Sequence, residues 1–574
     1  MKKSYLVASL LAVVFFAVLG TKAVAKTEKF SYEDIIRLGK VVTKIGESYV
    51  EEVESEELVK ASIEGLRSIL DPHTAYFSEK DFTNLKISTE GSFGGLGITI
   101  AVREKVLTVI SPLQGTPAYR MGILAGDQIV EIDSKSTRGI TVEQAVEKLR
   151  GKPGTPVTLK ILREGNIEAL EFTVIRDIIH IQSVPFATML NDSVGLVKVT
   201  QFSKQTAEDL ATRINQLKQQ GLKNLILDLR HNPGGLLNQA IDVSDLFLDK
   251  KQLVVYTKGR APGQNKEYFS QGKPILPKTS RIIVLINQGS ASASEIVAGA
   301  IQDHDRGLIL GKTSFGKGSV QTILDLDNQK YALKLTTAYY YTPSGRCINK
   351  PENGVRGNLE DLEFDENGEV VNPVSKPDSS KTFNTDSGRK VLAGGGIAPD
   401  IVSEAPLFTR FIRELERKSL FFKYVIKNRS DIEKKSPVTL EYAVPDSMVE
   451  DFRKFAFADS SFSNYKNASQ IMLEEFKKTL KKEREANGDT LLNKDNQEID
   501  KVSAELEKKL KEKSRKEFDF NRSYISFALK RELVQAVLSD SSRSVHELTR
   551  DTQVKDALTY MADPKKFQKA ISKK

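Results

Sequence analysis

Three apolar runs, each followed by a polar or glycine-rich turn, constrain this chain more than any other feature. They are "VGLVKVTQF" (194–202), "KNLILDLR" (223–230) and "RIIVLIN" (281–287). Continuous runs of this length, rich in Val, Ile and Leu, read as strands covered on both faces. Between the first two lies an amphipathic helix with Leu210, Ile214 and Leu217 on one face, and "LLNQAIDVSDLFL" supplies another before the third. Strand–helix alternation of this kind predicts an α/β core around a largely buried sheet.

That core is one part of a larger protein, because 574 residues exceed a single hydrophobic core and suggest three or four domains. Residues 26–88 carry apolar positions three and four apart, in "YEDIIRLGKVVTKI" and "ESEELVKASIEGLRSIL", and read as helical up to a break at Asp71-Pro72. Residues 89–177 form a compact unit. It has strand-like "ITIAV", "VLTVISPL" and "GDQIVEID", a short helix in "TVEQAVEKLRG", and a strand pair around Glu164-Gly165. The α/β core is expected over 178–402, with 350–390 as a polar surface excursion. Residues 403–574 are Lys- and Glu-rich helices with apolar stripes such as Leu473, Phe476 and Leu480, and Val502, Leu506 and Leu510. They suit helices packing one face on a neighbour, or an appendage for dimerisation or regulation.

The first 25 residues read as an export signal. "MKKSY" is basic, "LVASLLAVVFFAVLG" is apolar but short of a bilayer span, and "AVA" at 23–25 fits a cleavage site. Cleavage after Ala25 is expected, an uncleaved anchor being the alternative, and the chain is expected in the periplasm or at the outer face of the inner membrane. Cys347 is the only cysteine, which rules out an intrachain disulfide, a cysteine-based zinc site and a lipid-modified cysteine near residue 25. The net charge of +9 is modest for this length and spread along the chain, so nucleic acid is not an expected partner.

The chemistry concentrates in "NQGSASASEIVAGA" (287–300), where Ser290, Ser292 and Ser294 alternate at a strand-to-helix turn. Ser292 with Glu295 fits a capping box, a purely structural role. The same turn would also expose a nucleophile at the sheet's carboxyl edge, beside amides able to stabilise an oxyanion. Two bases compete. His304 lies 12 residues along the same helix from Ser292, about 18 Å away, and cannot reach. His231, in "DLRHNPGG", begins another strand-to-helix turn and could. Lys317, in "SFGKGSVQ", could serve if burial brought its amine towards neutrality. Gln321 would share its face if "SVQTILDL" is a strand. Gly311-x4-Gly316-Lys317 also approaches a phosphate-binding loop, but Gly318 replaces the magnesium-ligating hydroxyl and strands, not a helix, follow. Gly234 and Gly235 open a helix and could complete an oxyanion hole.

Together "LDLRHNPGG", "GSASASEIVAGAIQD", "SFGKGSVQ", "YYYTPSGR" and "GGIAPDI" resemble the carboxyl-terminal processing (tail-specific) peptidases, over roughly residues 30–402. The resemblance implies a multidomain α+β protein with a crotonase-like α/β peptidase core, an inserted PDZ domain, N-terminal helices and a C-terminal helical region. It implies Ser292 as nucleophile, Lys317 as general base, Gln321 orienting it, and oxyanion donors from Ala293 and from Gly234 or Gly235. No cofactor or metal is implied. Gly95-Leu96-Gly97-Ile98 resembles a PDZ carboxylate-binding loop, and Arg150 resembles an arginine linking the PDZ domain to the catalytic lysine. Protein substrates with apolar C-termini are the expected partners, with an adaptor lipoprotein and a homo-oligomer as further candidates. The competing reading is a PDZ scaffold whose peptidase core is silent.

Overall fold

A computed structural model describes residues 32–326, 330–350, 363–364, 370–371, 378–404, 408–487 and 493–572. The expected signal segment and much of the 350–390 excursion lie outside the described residues. Two compact units result: the N-terminal residues through Phe77 with Ile323–Thr336, and the rest of the chain from Ser78.

In the first unit, helices Tyr32–Ser48 and Ser55–Arg67 contain no buried residue. The expected break at Asp71-Pro72 is a turn in which the Asp71 carboxylate accepts from the His73 amide at 2.9 Å and the Thr74 hydroxyl at 2.8 Å. A short strand, Ala75–Phe77, then pairs antiparallel with Ala332–Lys334.

The second unit is built on a six-stranded sheet. Phe186–Met189 runs antiparallel to Val194–Lys198, and Asn224–Asp228, Ile282–Ile286, Leu308–Gly311 and Ile401–Val402 continue it in parallel. The apolar runs are continuous because both faces are covered. Leu225, Leu227, Ile282, Val284 and Ile286 pack towards helices Thr206–Gln219, Leu237–Asp245 and Ala293–Asp303. Their alternating neighbours Ile226, Ile283 and Leu285, with Leu308 and Leu310, pack against Val554, Ala557, Met561 and Phe567. The last two helices, Thr552–Ala562 and Pro564–Ile571, therefore form one wall of the core. Arg230, just past a sheet strand, fastens that wall by pairing with Asp228 and Asp551, both at 2.7 Å.

Helices Arg410–Arg417, Leu420–Lys435, Asp446–Ala458 and Arg522–Val537, with Phe518 of the helix before the last of these, enclose a separate, aromatic-rich core centred on Phe411, Phe421, Phe452, Phe462 and Phe518. The Ala468–Asn487 and Asn493–Phe520 helices carry the striped apolar residues, of which Leu473 is buried while Phe476, Val502 and Leu506 stay exposed.

The inserted unit has an antiparallel sheet in the order Ile98–Arg103, Val106–Pro112, Gln128–Ile132, Pro156–Leu162, Leu170–Ile175. The last two strands pair directly across the expected Glu164-Gly165 turn. Helix Val142–Leu149 starts at a capping box in which Thr141 and Gln144 exchange bonds. The chain enters through Ser92–Gly95 and leaves through Asp177–His180, and these two strands pair antiparallel, closing the insertion at its base. Lys423 of the helical region reaches Glu104 on this unit's surface.

Candidate active site

The site begins where strand Ile282–Ile286 gives way to helix Ala293–Asp303, every residue of which is buried. The three serines of this turn have distinct fates. The Ser290 hydroxyl donates to the Leu229 carbonyl at 2.8 Å, and the Ser294 hydroxyl to the Asn232 carbonyl at 2.9 Å; both residues are fully buried. Those bonds tie the serine turn to the "DLRHNPGG" turn. Ser292 alone is partly exposed, and it sits at the helix N-cap with φ 53° and ψ −113°. A non-glycine residue there stores about 1–3 kcal/mol of strain, which the bonds on either side must maintain.

Glu295 reaches back to the Ser292 amide at 2.8 Å, one half of the expected capping box. Its carboxylate does more, accepting from the Ser314 hydroxyl at 2.5 Å, the Gly316 amide at 2.7 Å and the Lys317 amide at 2.9 Å. Burial pushes this carboxyl's pKa up, against the four hydrogen bonds that favour its ionised form. Lys317 is half-buried on an irregular segment that leads into strand Ser319–Leu326, the element that excludes the phosphate-loop reading. The strand starts two residues beyond Lys317, and the Gln321 carboxamide donates to the Ser319 hydroxyl at 2.8 Å and carbonyl at 3.2 Å. Tyr340, buried to 2% exposure, places its hydroxyl 3.1 Å from the Ser292 carbonyl and donates to the Lys317 carbonyl. Burial and the nearby Glu295 charge hold this phenol well above its ordinary pKa, so it remains a donor.

Gly234 lies against the serine. A Cβ there would fall 2.8 Å from the Ala291 carbonyl oxygen, 2.8 Å from Ser292 Cβ and 2.9 Å from the Ala293 nitrogen, and its φ is 100°. Its amide donates to Asn232 Oδ1 at 2.9 Å, and its carbonyl accepts from Phe202 at 2.9 Å. In a trans peptide the next N–H opposes that carbonyl, so the Gly235 amide points away from Phe202. The competing base His231 turns its ring to Asn287, 2.9 Å away, and burial with the Lys198 and Arg230 charges lowers its pKa. His304 caps the far end of the helix, held by Asp386 at 2.8 Å and the Leu253 carbonyl at 2.7 Å.

Residues 193–360 match the model of "Peptidase family S41", 84–162 that of "PDZ domain", and 411–561 that of "Probable PDZ-protease, C-terminal helical domain". A "Carboxy-terminal-processing protease" of Bartonella bacilliformis is 41% identical over 351 residues, covering 60% of this chain and 80% of the relative. The chain belongs to the carboxy-terminal processing proteases of peptidase family S41. It is a serine-type peptidase with a PDZ domain and a C-terminal helical domain. The "Carboxy-terminal processing protease CtpA" of Bacillus subtilis is 34% identical over 335 residues, 58% of this chain and 70% of its own. A solved "Photosystem II D1 C-terminal processing protease" is 26% identical, covering 56% of this chain and 91% of its own with a TM-score of 0.31.

In this S41 peptidase the remaining family motifs grip the serine helix at its far end. Arg346 of "YYYTPSGR" is fully buried and pairs with Asp303 and Gln302. Asp400 of "GGIAPDI" accepts from Gln302 at 2.9 Å and from the Ile309 amide at 2.8 Å. In the PDZ loop, Leu96 is buried in the domain core, and the Leu96 and Gly97 carbonyls accept from Ala118 at 3.0 Å and Leu113 at 2.8 Å. Gly97 has φ 77° and no room for a Cβ, which would meet Thr116 at 2.3 Å. Arg150 stacks on Phe93 at 4.5 Å and donates to Asn84 at 3.1 Å. Those contacts keep it on the strand leading into the PDZ loop and on helix Glu79–Glu90. Among the described residues, no group of three or more His, Cys, Asp or Glu could hold a metal ion.

Sequence reasoning missed Tyr340 and half of what Glu295 does. Glu295 carries the S-x-x-E capping signal, but nothing local says that its carboxylate would also hold a loop some 20 residues downstream. Tyr340 is the middle of three tyrosines, buried between two neighbours that are more exposed.

Proposed function

We propose that this peptidase cleaves polypeptides near their C-termini through a Ser292–Lys317 dyad, with the PDZ domain receiving the substrate's C-terminus. The observation that carries the reading is the fate of the three serines. Two hydroxyls are bound to backbone carbonyls, while Ser292 is strained, partly exposed and tied through Glu295 to the segment bearing Lys317. In this account the neutral Lys317 amine takes the Ser292 proton as the hydroxyl attacks the scissile carbonyl, and returns it to the leaving amine. The Ala293 amide and a glycine amide of the "NPGG" turn stabilise the oxyanion. Gly235 suits this role better than Gly234, whose amide is engaged by Asn232. Water then hydrolyses the acyl-enzyme on Ser292, with Lys317 again as base. Gln321 positions Lys317 through the strand start that it stabilises.

Incubation with a peptide ending in apolar residues tests the reading. Wild type cleaves it, Ser292→Ala and Lys317→Ala do not, and His231→Ala largely retains activity. Cleavage by Ser292→Ala at the wild-type rate would refute it, and an inert wild type would favour the silent scaffold. The basic–apolar–"AVA" start supports export to the periplasm with removal of residues 1–25, which N-terminal sequencing of the mature protein checks. The exposed apolar residues Ile35, Val41 and Ile45 of the first helix support self-association, checked by light scattering of a Val41→Lys variant. Adaptor delivery of substrates remains part of the proposal on family resemblance alone.

A further inference from the structure

Ser292 and Lys317 lie on separate segments 25 residues apart, and residues 313–318 form neither helix nor strand. Backbone ties this segment to the serine turn two residues before each partner, the Phe315 amide donating to the Ser290 carbonyl at 2.9 Å. A dyad needs the Ser292–Lys317 distance held to a fraction of an ångström, and at these two residues themselves the holding contacts come from side chains.

Two buried side chains meet the need from opposite sides. One oxygen of Glu295, Oε2, accepts both the Ser292 amide at 2.8 Å and the Lys317 amide at 2.9 Å. The two backbone nitrogens are therefore no further apart than those two bonds end to end. The other oxygen, Oε1, holds the approach to Lys317 through Ser314 at 2.5 Å and Gly316 at 2.7 Å. On the carbonyl side, the Tyr340 hydroxyl lies against the carbonyl oxygens of the same two residues, Ser292 and Lys317. Tyr340 is itself anchored to the loop, its amide donating to the Gly318 carbonyl at 2.9 Å. Glu295 is fixed on the first turn of a fully buried helix, so neither partner can drift.

We propose that Glu295 and Tyr340 are positioning residues that act as one clamp, holding the amides and carbonyls of Ser292 and Lys317 in register so that the amine meets the hydroxyl. The inference rests on the Ser292–Lys317 reading above. It assigns a task to two side chains that would not touch substrate. A glutamine at 295 cannot replace the carboxylate, because it must turn its NH2 either on the Ser292 and Lys317 amides or on the Ser314 and Gly316 donors. A phenylalanine at 340 keeps the ring's packing and removes only the hydroxyl.

The test compares Glu295→Gln, Tyr340→Phe, the double variant and Ser292→Ala. The substrate is the p-nitrophenyl ester of a short apolar peptide, and the burst of p-nitrophenol counts competent sites. A merely structural role would lower the fraction of titratable sites and leave turnover per site intact. The clamp predicts that kcat per titrated site falls tenfold or more in each single variant, with KM within about twofold. The double variant should be no more than threefold slower than the slower single one. A fall of less than threefold per site in either single variant, or multiplicative losses in the double, would overturn the clamp. Wild-type turnover by Ser292→Ala would instead overturn the dyad reading, so the two failures are distinguishable.

Discussion

Gly234→Ala probes the contact between the "NPGG" turn and the serine turn. The added Cβ would stand 2.8 Å from the Ala291 carbonyl oxygen and from Ser292 Cβ, where ordinary contact begins at 3.4 Å. The serine turn must therefore retreat by about 0.6 Å, or the glycine turn must do so. A misplacement of 1 Å at a reacting group costs about 10²-fold, and loss of one oxyanion donor about 10²–10³-fold. We expect kcat to fall about 10²-fold, equivalent to about 2.7 kcal/mol, with KM changed little. At φ 100° the alanine also pays about 1–2 kcal/mol of stability. Gly263→Ala separates the two effects, because Gly263 has φ 80° with nothing within 4 Å and lies outside the site. Initial rates over a range of peptide concentrations, with urea unfolding of each variant, supply both numbers. A folded Gly234→Ala enzyme with kcat within threefold of wild type would refute the argument that this contact sets the site.

Two further perturbations test the frame around the site. Arg230→Met leaves the buried Asp228 carboxylate without its partner, and urea unfolding at pH 7 should show a loss of about 3–5 kcal/mol. Burial alone would raise the Asp228 pKa, but the Arg230 charge holds it below 3.8, so its stabilisation is complete above that value and lost as pH falls. The gap between wild type and Arg230→Met should accordingly be widest at neutral pH and narrow towards acid; a gap that widens on acidification would contradict the pairing. Met561→Ala opens a cavity between the last helices and the sheet, and should cost about 2–5 kcal/mol by the same assay. A cost below about 1 kcal/mol would show that this wall is dispensable.

The sheet was legible because its strands are covered on both faces, which writes continuous apolar runs such as "RIIVLIN" into the chain. What covers the second face was not legible. Val554, Ala557, Met561 and Phe567 look like any amphipathic stripe, and an amphipathic stripe does not name the surface that it meets. In the candidate site, the assignment of Ser292 and Lys317 rests on motif resemblance, whereas the Ser292–Glu295 pairing was legible from capping chemistry. Part of that pairing's purpose was hidden, because the Glu295 bonds to Gly316 and Lys317 cross two chain segments and depend on tertiary structure alone. The surroundings of Arg150 were not legible either. Here its guanidinium lies on Phe93 and Asn84, contacts that "KLRGKPGT" does not announce.

The central claim is that Ser292 becomes acylated with Lys317 as its base, and trapping the acyl-enzyme tests it most directly. Wild type mixed with a peptide ending in apolar residues is quenched in acid within the first turnover, digested and mapped by mass spectrometry. The account predicts an acyl group on Ser292, absent in Lys317→Ala and retained in His231→Ala. An adduct on Ser290 or Ser294, or an adduct on Ser292 that survives Lys317→Ala and vanishes in His231→Ala, would contradict it.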